Sequence, residues 1–265
     1  MTDKFLSKNG SISVESIRCS NQSQTSKIPT KLTILFLLLL SLAGTALAGT
    51  AREEIFFTYY RGQHINSIKL YEQAREQAKK GDLTNALRSL DTALKNDPTF
   101  WPAIYFRGDI FAHQRQYERA VKEFGEALRQ KPTFIEAAIG RAAANKALGR
   151  YDAALREIDH LAKIRPGRQY ALILNHRAWY RATIPDAQFR NGKQAVSDAK
   201  AACNVTKWED PEVIDTLAAA YADTGDFANA IKYQEQAMAK DSKKVLRNPG
   251  PRLVLYKEQK PFREK

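Results

Sequence analysis

The chain has 265 residues, 43% of them hydrophobic and 27% charged, enough apolar material for one large domain or two small ones. Its 42 Lys and Arg against 29 Asp and Glu leave a net charge of +13, which favours anionic partners. Only two cysteines are present, Cys19 and Cys203, and an apolar segment separates them, so a disulfide framework is excluded as the source of stability.

Residues 1–31 are rich in Ser, Thr, Asn, Gln and Lys and hold little that builds a core, which predicts a disordered lead. Leu32 to Leu42 is an almost unbroken apolar run, preceded by Lys27 and Lys31 and followed by Ala46-Leu47-Ala48. That is the layout of an export segment over 32–48, with cleavage after Ala48. The alternative is a retained anchor, because the uncharged stretch from Leu32 to Ala51 is 20 residues and reaches across a bilayer. Lysines before the segment keep the lead in the cytoplasm in either case. The rest of the chain is then expected outside it: periplasmic, secreted, or anchored to the inner membrane. The first 48 residues hold five basic and two acidic side chains, so +10 of the net charge belongs to residues 49–265.

Residues 49–66 are predicted to form an N-terminal capping helix, with Ile55, Phe56, Tyr59 and Tyr60 ahead of Gly62. From Ser67 to Arg168 one 34-residue pattern is written three times without a gap. Ala86, Ala120 and Ala154 are 34 apart, as are Pro98, Pro132 and Pro166. In the first copy Leu70, Ala74 and Gln77 precede Gly81-Asp82, and Ala86, Leu90 and Ala93 come after it. Steps of three and four residues put these on one face of each of two short helices, and the proline closes the unit because the residue before it leaves the helical region. Small side chains at Ala74, Gly108 and Ala142 let the paired helices approach closely.

After Arg168 the period is disturbed. Ala171 to Thr183 reads as a helix, Ile184 to Gly192 as a loop, and Ala195, Ala199 and Ala202 as a second helix, together an irregular fourth unit over 169–210. A fifth unit over 211–244 opens on Pro211 and turns at Gly225-Asp226. Residues 245–265 are a tail expected to cap the last helix pair.

These positions resemble the tetratricopeptide repeat, a helical solenoid unit. The family's small residue in the first helix matches Ala74, Gly108 and Ala142, its alanine in the second matches Ala86, Ala120 and Ala154, and its closing proline matches all three copies. The tryptophan that the family favours early in the first helix is replaced by Leu70, Ile104 and Ala138. The segments from Ala178 to Met238 and from Arg252 to Arg263 resemble a C-terminal stretch that recurs in bacterial proteins of this family. The resemblance implies an all-α superhelix of about five helix-turn-helix repeats behind an N-terminal hydrophobic export segment.

Chemistry is absent from the pattern. No phosphate-cradling glycine loop, paired-cysteine zinc site or nucleophile elbow is present, and the four histidines, His64, His113, His160 and His176, have no ligand spacing. The expectation is a non-enzymatic protein without metal or cofactor. No nucleic-acid motif accompanies the positive charge, so nucleic acid is not an expected partner.

Family geometry instead points to the concave side, lined by the first helix of each repeat. Carried over, it gives Tyr71, Arg75 and Lys79, then Tyr105, Asp109 and His113, then Ile139 and Lys146, with Asn175 and Trp179 from the irregular unit. Aromatic rings flanked by cations suit an extended peptide or partner helix with acidic groups. The Lys, Asn and Arg clamp by which chaperone-binding members hold a terminal carboxylate is missing, because the matching positions are Tyr71, Arg75, Phe106, Glu136 and Gly140. The expected function is a protein-interaction scaffold of the cell envelope. The alternative is a membrane-anchored structural or assembly component whose basic surface contacts anionic lipid or envelope polymer.

Overall fold

The computed structural model describes residues 49–164 and 169–264. The predicted lead over 1–31, the export segment over 32–48, and Arg165, Pro166 and Arg168 lie outside the described residues, as do the side chains of Ile55, Phe56, Tyr59 and Tyr60. Among the described residues there are eleven α-helices and one 3-10 turn, and no helix is long and apolar enough to cross a membrane. The chain divides into two compact units, one reaching to His113 and one running from Gln114.

The first unit contains α1 (Gly49–Lys79), α2 (Leu83–Asn96) and α3 (Trp101–His113). Helix α1 runs through Gly62, so the capping segment and the first repeat helix are one continuous element of 31 residues. It stops at Gly81, whose φ of +80° belongs to the left-handed region that favours glycine. Asp82 then accepts a hydrogen bond from the Asn85 amide at 3.1 Å and starts α2. Ala74 and Ala86 are fully buried where α1 meets α2, together with Leu90 and Ala93. Polar contacts also hold the pair, among them Ser89 donating to Gln77 Oε1 at 2.9 Å. Ser67 donates to the Ala93 carbonyl at 2.8 Å, and His64 Nδ1 lies 2.6 Å from Asp97 Oδ2.

The second unit contains α4 (Tyr117–Gln130), α5 (Ile135–Ala147), α6 (Tyr151–Ile164), α7 (Tyr170–Thr183), α8 (Gly192–Val205), α9 (Pro211–Asp223), α10 (Phe227–Lys240) and α11 (Pro249–Lys257). Gly140 on α5 admits the Phe124 ring of α4, since a Cβ there would stand 2.8 Å from the ring. The irregular stretch after α7 buries Ile184 completely and forms the 3-10 turn Ala187–Phe189 before Asn191 caps α8. Arg177 on α7 joins both neighbours, bonding Asp198 of α8 at 2.6 Å and lying 3.7 Å from Asp159 of α6. Helix α9 is buried without a break from Val213 to Ala220, so it is the centre of the unit rather than an amphipathic rim.

Helix α11 closes the apolar edge of α9 and α10 with Tyr256, fully buried beside Ala218, Ala222 and Ala230. The chain then leaves the helix and comes back. Residues 261–264 take no regular secondary structure, and they reach α7 as well as the last helix pair, where Arg263 bonds Asp223 of α9.

Candidate functional site

In the first unit the predicted inner residues lie on α1 and α3. The Tyr71 ring is buried, edge-on to Phe100 at 5.7 Å and to Phe106 at 6.0 Å, and Arg75 lies 5.8 Å above it. Burial pushes the Tyr71 hydroxyl up to about 12 against the Arg75 charge, with lesser help from Glu72 and then Asp109. Arg75 is paired with Glu72 at 3.1 Å and Lys79 with Glu76 at 2.6 Å, each one turn earlier on the same helix. The cations expected to meet an acidic ligand are thus already neutralised locally. Tyr105 is buried, His113 half-buried, and Asp109 only 4% exposed. Burial pushes the Asp109 carboxyl up to about 7.

In the second unit the predicted residues come from α5 and α7. Ile139 is buried at 2% exposure, and its surface is spent inside the core. Asn175 is half-buried, with its Oδ1 enclosed and lacking a hydrogen-bond partner. Lys146 and Trp179 converge, and they converge on the chain itself. Lys146 Nζ bonds Glu264 Oε2, and the Trp179 indole N–H donates to Glu264 Oε1 at 2.8 Å. The same lysine sits 4.6 Å above the Tyr180 ring. Burial opposes ionisation of Glu264, but the Lys146 charge and the two hydrogen bonds outweigh it and hold the carboxyl below the usual glutamate range.

The rest of the returning segment is fixed as closely. The Glu264 amide donates to the Thr183 carbonyl at 3.0 Å. Arg263 donates to the Ala182 carbonyl at 2.9 Å and to Asp223 at 2.7 Å. The Phe262 ring lies 5.8 Å from Trp179, and the Arg252 guanidinium stands 5.7 Å from each of these rings. Arg252 is itself held by the buried Asp215 carboxylate at 2.7 and 2.8 Å, which also accepts from Gln234 at 2.7 Å. His176 adjoins this centre. Burial, then the Lys146 charge, pushes its imidazole down to about 4, so it is neutral at physiological pH.

Sequence reasoning selects Lys146 and Trp179 but misses Arg252 and Glu264, which lie beyond the repeats, and Asp215, which holds in the fifth unit the place that Tyr71 holds in the first. The sequence signal for Arg252 and Glu264 is the apolar and basic ending after Asn248, which by itself reads only as a cap. No group of three or more His, Cys, Asp or Glu side chains that could hold a metal ion occurs among the described residues.

Comparison with known proteins gives the same architecture. Serine/threonine-protein phosphatase 5 of Rattus norvegicus is 28% identical over 133 residues, which are 46% of this chain and 26% of that protein. The Homo sapiens protein is 31% identical over 100 residues, 37% and 20% of the two chains. The chain therefore spans about a quarter of the length of these relatives. Among solved structures, PilW, a widely conserved type IV pilus biogenesis factor, is 19% identical with a TM-score of 0.61 over 73% of this chain and 86% of its own. Pseudomonas aeruginosa pilF is 14% identical with a TM-score of 0.60 over 75% and 87%. At these identities the likeness is one of fold. Family models described as tetratricopeptide repeat match residues 71–134, 111–175 and 211–240. Carried on paired helices with small residues at each contact, these matches show that the chain belongs to the tetratricopeptide repeat family.

Proposed function

We propose that this scaffold works in the cell envelope and takes an extended, acid-bearing segment of a partner protein on the surface formed by α5 and α7. The observation that carries the reading is that Lys146 and the Trp179 indole together hold a carboxylate, that of Glu264, delivered by a stretch of chain outside any helix. Solenoids of this family bind proteins through such surfaces, and cation, indole and ring in one place suit peptide recognition. The acidic preference rests on the second unit alone, because Arg75 and Lys79 are paired within α1. The envelope assignment rests on the apolar run from Leu32 to Leu42 with its small-residue site, and on the fold shared with a pilus biogenesis factor.

The test is crosslinking capture from an envelope extract with the full chain and with Lys146→Met. A charge-assisted hydrogen bond contributes about 1.5–3 kcal/mol, so the variant is expected to lose tenfold or more in affinity for the captured protein. Recovery of the same protein in equal amount with both would exclude the α5 and α7 surface. Recovery of lipid or polymer alone, released by salt from both, would transfer function to the basic exterior.

A further inference from the structure

We propose that residues 260–264 are a built-in occupant of the α5 and α7 surface, and that this surface yields to a partner segment of like chemistry: an extended peptide with an aromatic ring two residues before a carboxylate. The inference rests on the function proposed above and adds what the ligand looks like and what holds its place.

Three features of the contact are those of a bound peptide. The segment has no regular secondary structure, it spends a backbone amide and an arginine on the Thr183 and Ala182 carbonyls, and its side chains enter separate environments. Phe262 meets the Trp179 ring while Glu264 reaches Lys146 and the indole N–H. Apolar and charged anchors with main-chain bonds between them are the elements of peptide recognition. The segment is also separable from the fold. Tyr256, on α11, already closes the apolar edge of the last helix pair and is fully buried, whereas Pro261 to Glu264 are only partly buried. The lining on α7 and α5 is covered by a stretch without regular secondary structure, whose side chains give Phe262 to the neighbouring apolar cluster and Arg263 to Asp223 of α9.

Tethering makes such an occupant effective. A short link gives a local concentration of the order of millimolar, and a competitor's apparent affinity falls by the fraction of time the surface is open. Weak intrinsic binding is then enough to exclude unspecific acidic peptides while a better-matched partner enters.

The experiment uses the full chain and its Phe262→Ala, Glu264→Ala double variant, with a fluorescent peptide copying Glu258 to Lys265 as the probe in anisotropy titrations. The peptide is expected to bind the double variant about tenfold or more tightly than the unaltered chain. A probe carrying the equivalent of Glu264→Ala is expected to lose about tenfold on that variant. Circular dichroism decides between a ligand and a piece of the fold: if the double variant loses its helical content or its cooperative unfolding, the segment is structural and the proposal is wrong. A folded variant that ignores the probe, or equal binding to both chains, overturns it as well. Probe binding to the released variant with no envelope protein captured by either chain would leave this proposal standing and remove the scaffold reading; capture that depends on Lys146 without probe binding would do the reverse.

Discussion

Arg252 is the residue whose removal most directly tests how the second unit is assembled. Its guanidinium forms three bonds to the Asp215 carboxylate, two to Oδ1 and one to Oδ2, with both side chains under a tenth exposed, and donates to the Arg247 carbonyl at 2.6 Å. Replacing it with methionine keeps the length of the stem but leaves the Asp215 carboxylate buried with only the Gln234 amide, 2.7 Å away. Breaking a buried pair in this way costs about 3–5 kcal/mol. Loss of the cation above the Trp179 and Phe262 rings adds about 0.5–1 kcal/mol. Arg252→Met is thus expected to destabilise the unit by about 4 kcal/mol in urea denaturation, followed by far-UV circular dichroism and by tryptophan emission. Most of that penalty is the orphaned charge, so adding Asp215→Asn should recover at least about 2 kcal/mol, a coupling visible in a double-mutant cycle. A single-variant loss below about 1 kcal/mol, or strictly additive effects, would refute the claim that this pair anchors α11 and the segment beyond it.

Asp109 makes a prediction of opposite sign with pH. Its folded carboxyl titrates at about 7 against an ordinary value of 3.8, so its contribution to stability is fully present below 3.8 and is lost as pH rises through 7. Asp109→Asn should therefore stabilise by about 2–4 kcal/mol at pH 8 and by little at pH 4, read as the difference in thermal midpoint between the two conditions; equal effects at both would show that the carboxylate is not enclosed. Gly140→Leu should cost about 1–3 kcal/mol, because the first added atom already stands 2.8 Å from the Phe124 ring; adding Phe124→Leu should relieve it, and a neutral effect of the single change in urea titrations would mean that α4 and α5 are not in close contact.

What could be read from the residues divides by the range of the contact. Ala74 against Ala86, the turn at Gly81 and the cap at Asp82 all fall within one 34-residue period, and repetition reports such contacts because each copy solves the same packing problem. The pairing of Arg75 with Glu72 and of Lys79 with Glu76 was also within reach, since three-residue spacing on a helix states it; the family's groove positions draw attention to the cations and away from their neighbours. Asp109 reads as a groove residue by family geometry, because its burial depends on the side chains around it and leaves no mark on its own spacing.

Contacts of the returning segment belong to another class. Lys146 and Glu264 are 118 residues apart and Trp179 and Glu264 are 85 apart, and neither separation is a multiple of the repeat. A solenoid in which each unit touches only its neighbours forbids such contacts in its repeating part, so they arise only where the chain stops repeating and bends back. The same reasoning says where function is to be sought in this protein. Positions that obey the period are occupied in holding one helix against the next: Ile139, a groove position by family geometry, is buried instead. Lys146 and Trp179 face a segment that owes nothing to the period, so the exchange of one chain for another proposed above would unmake no repeat there.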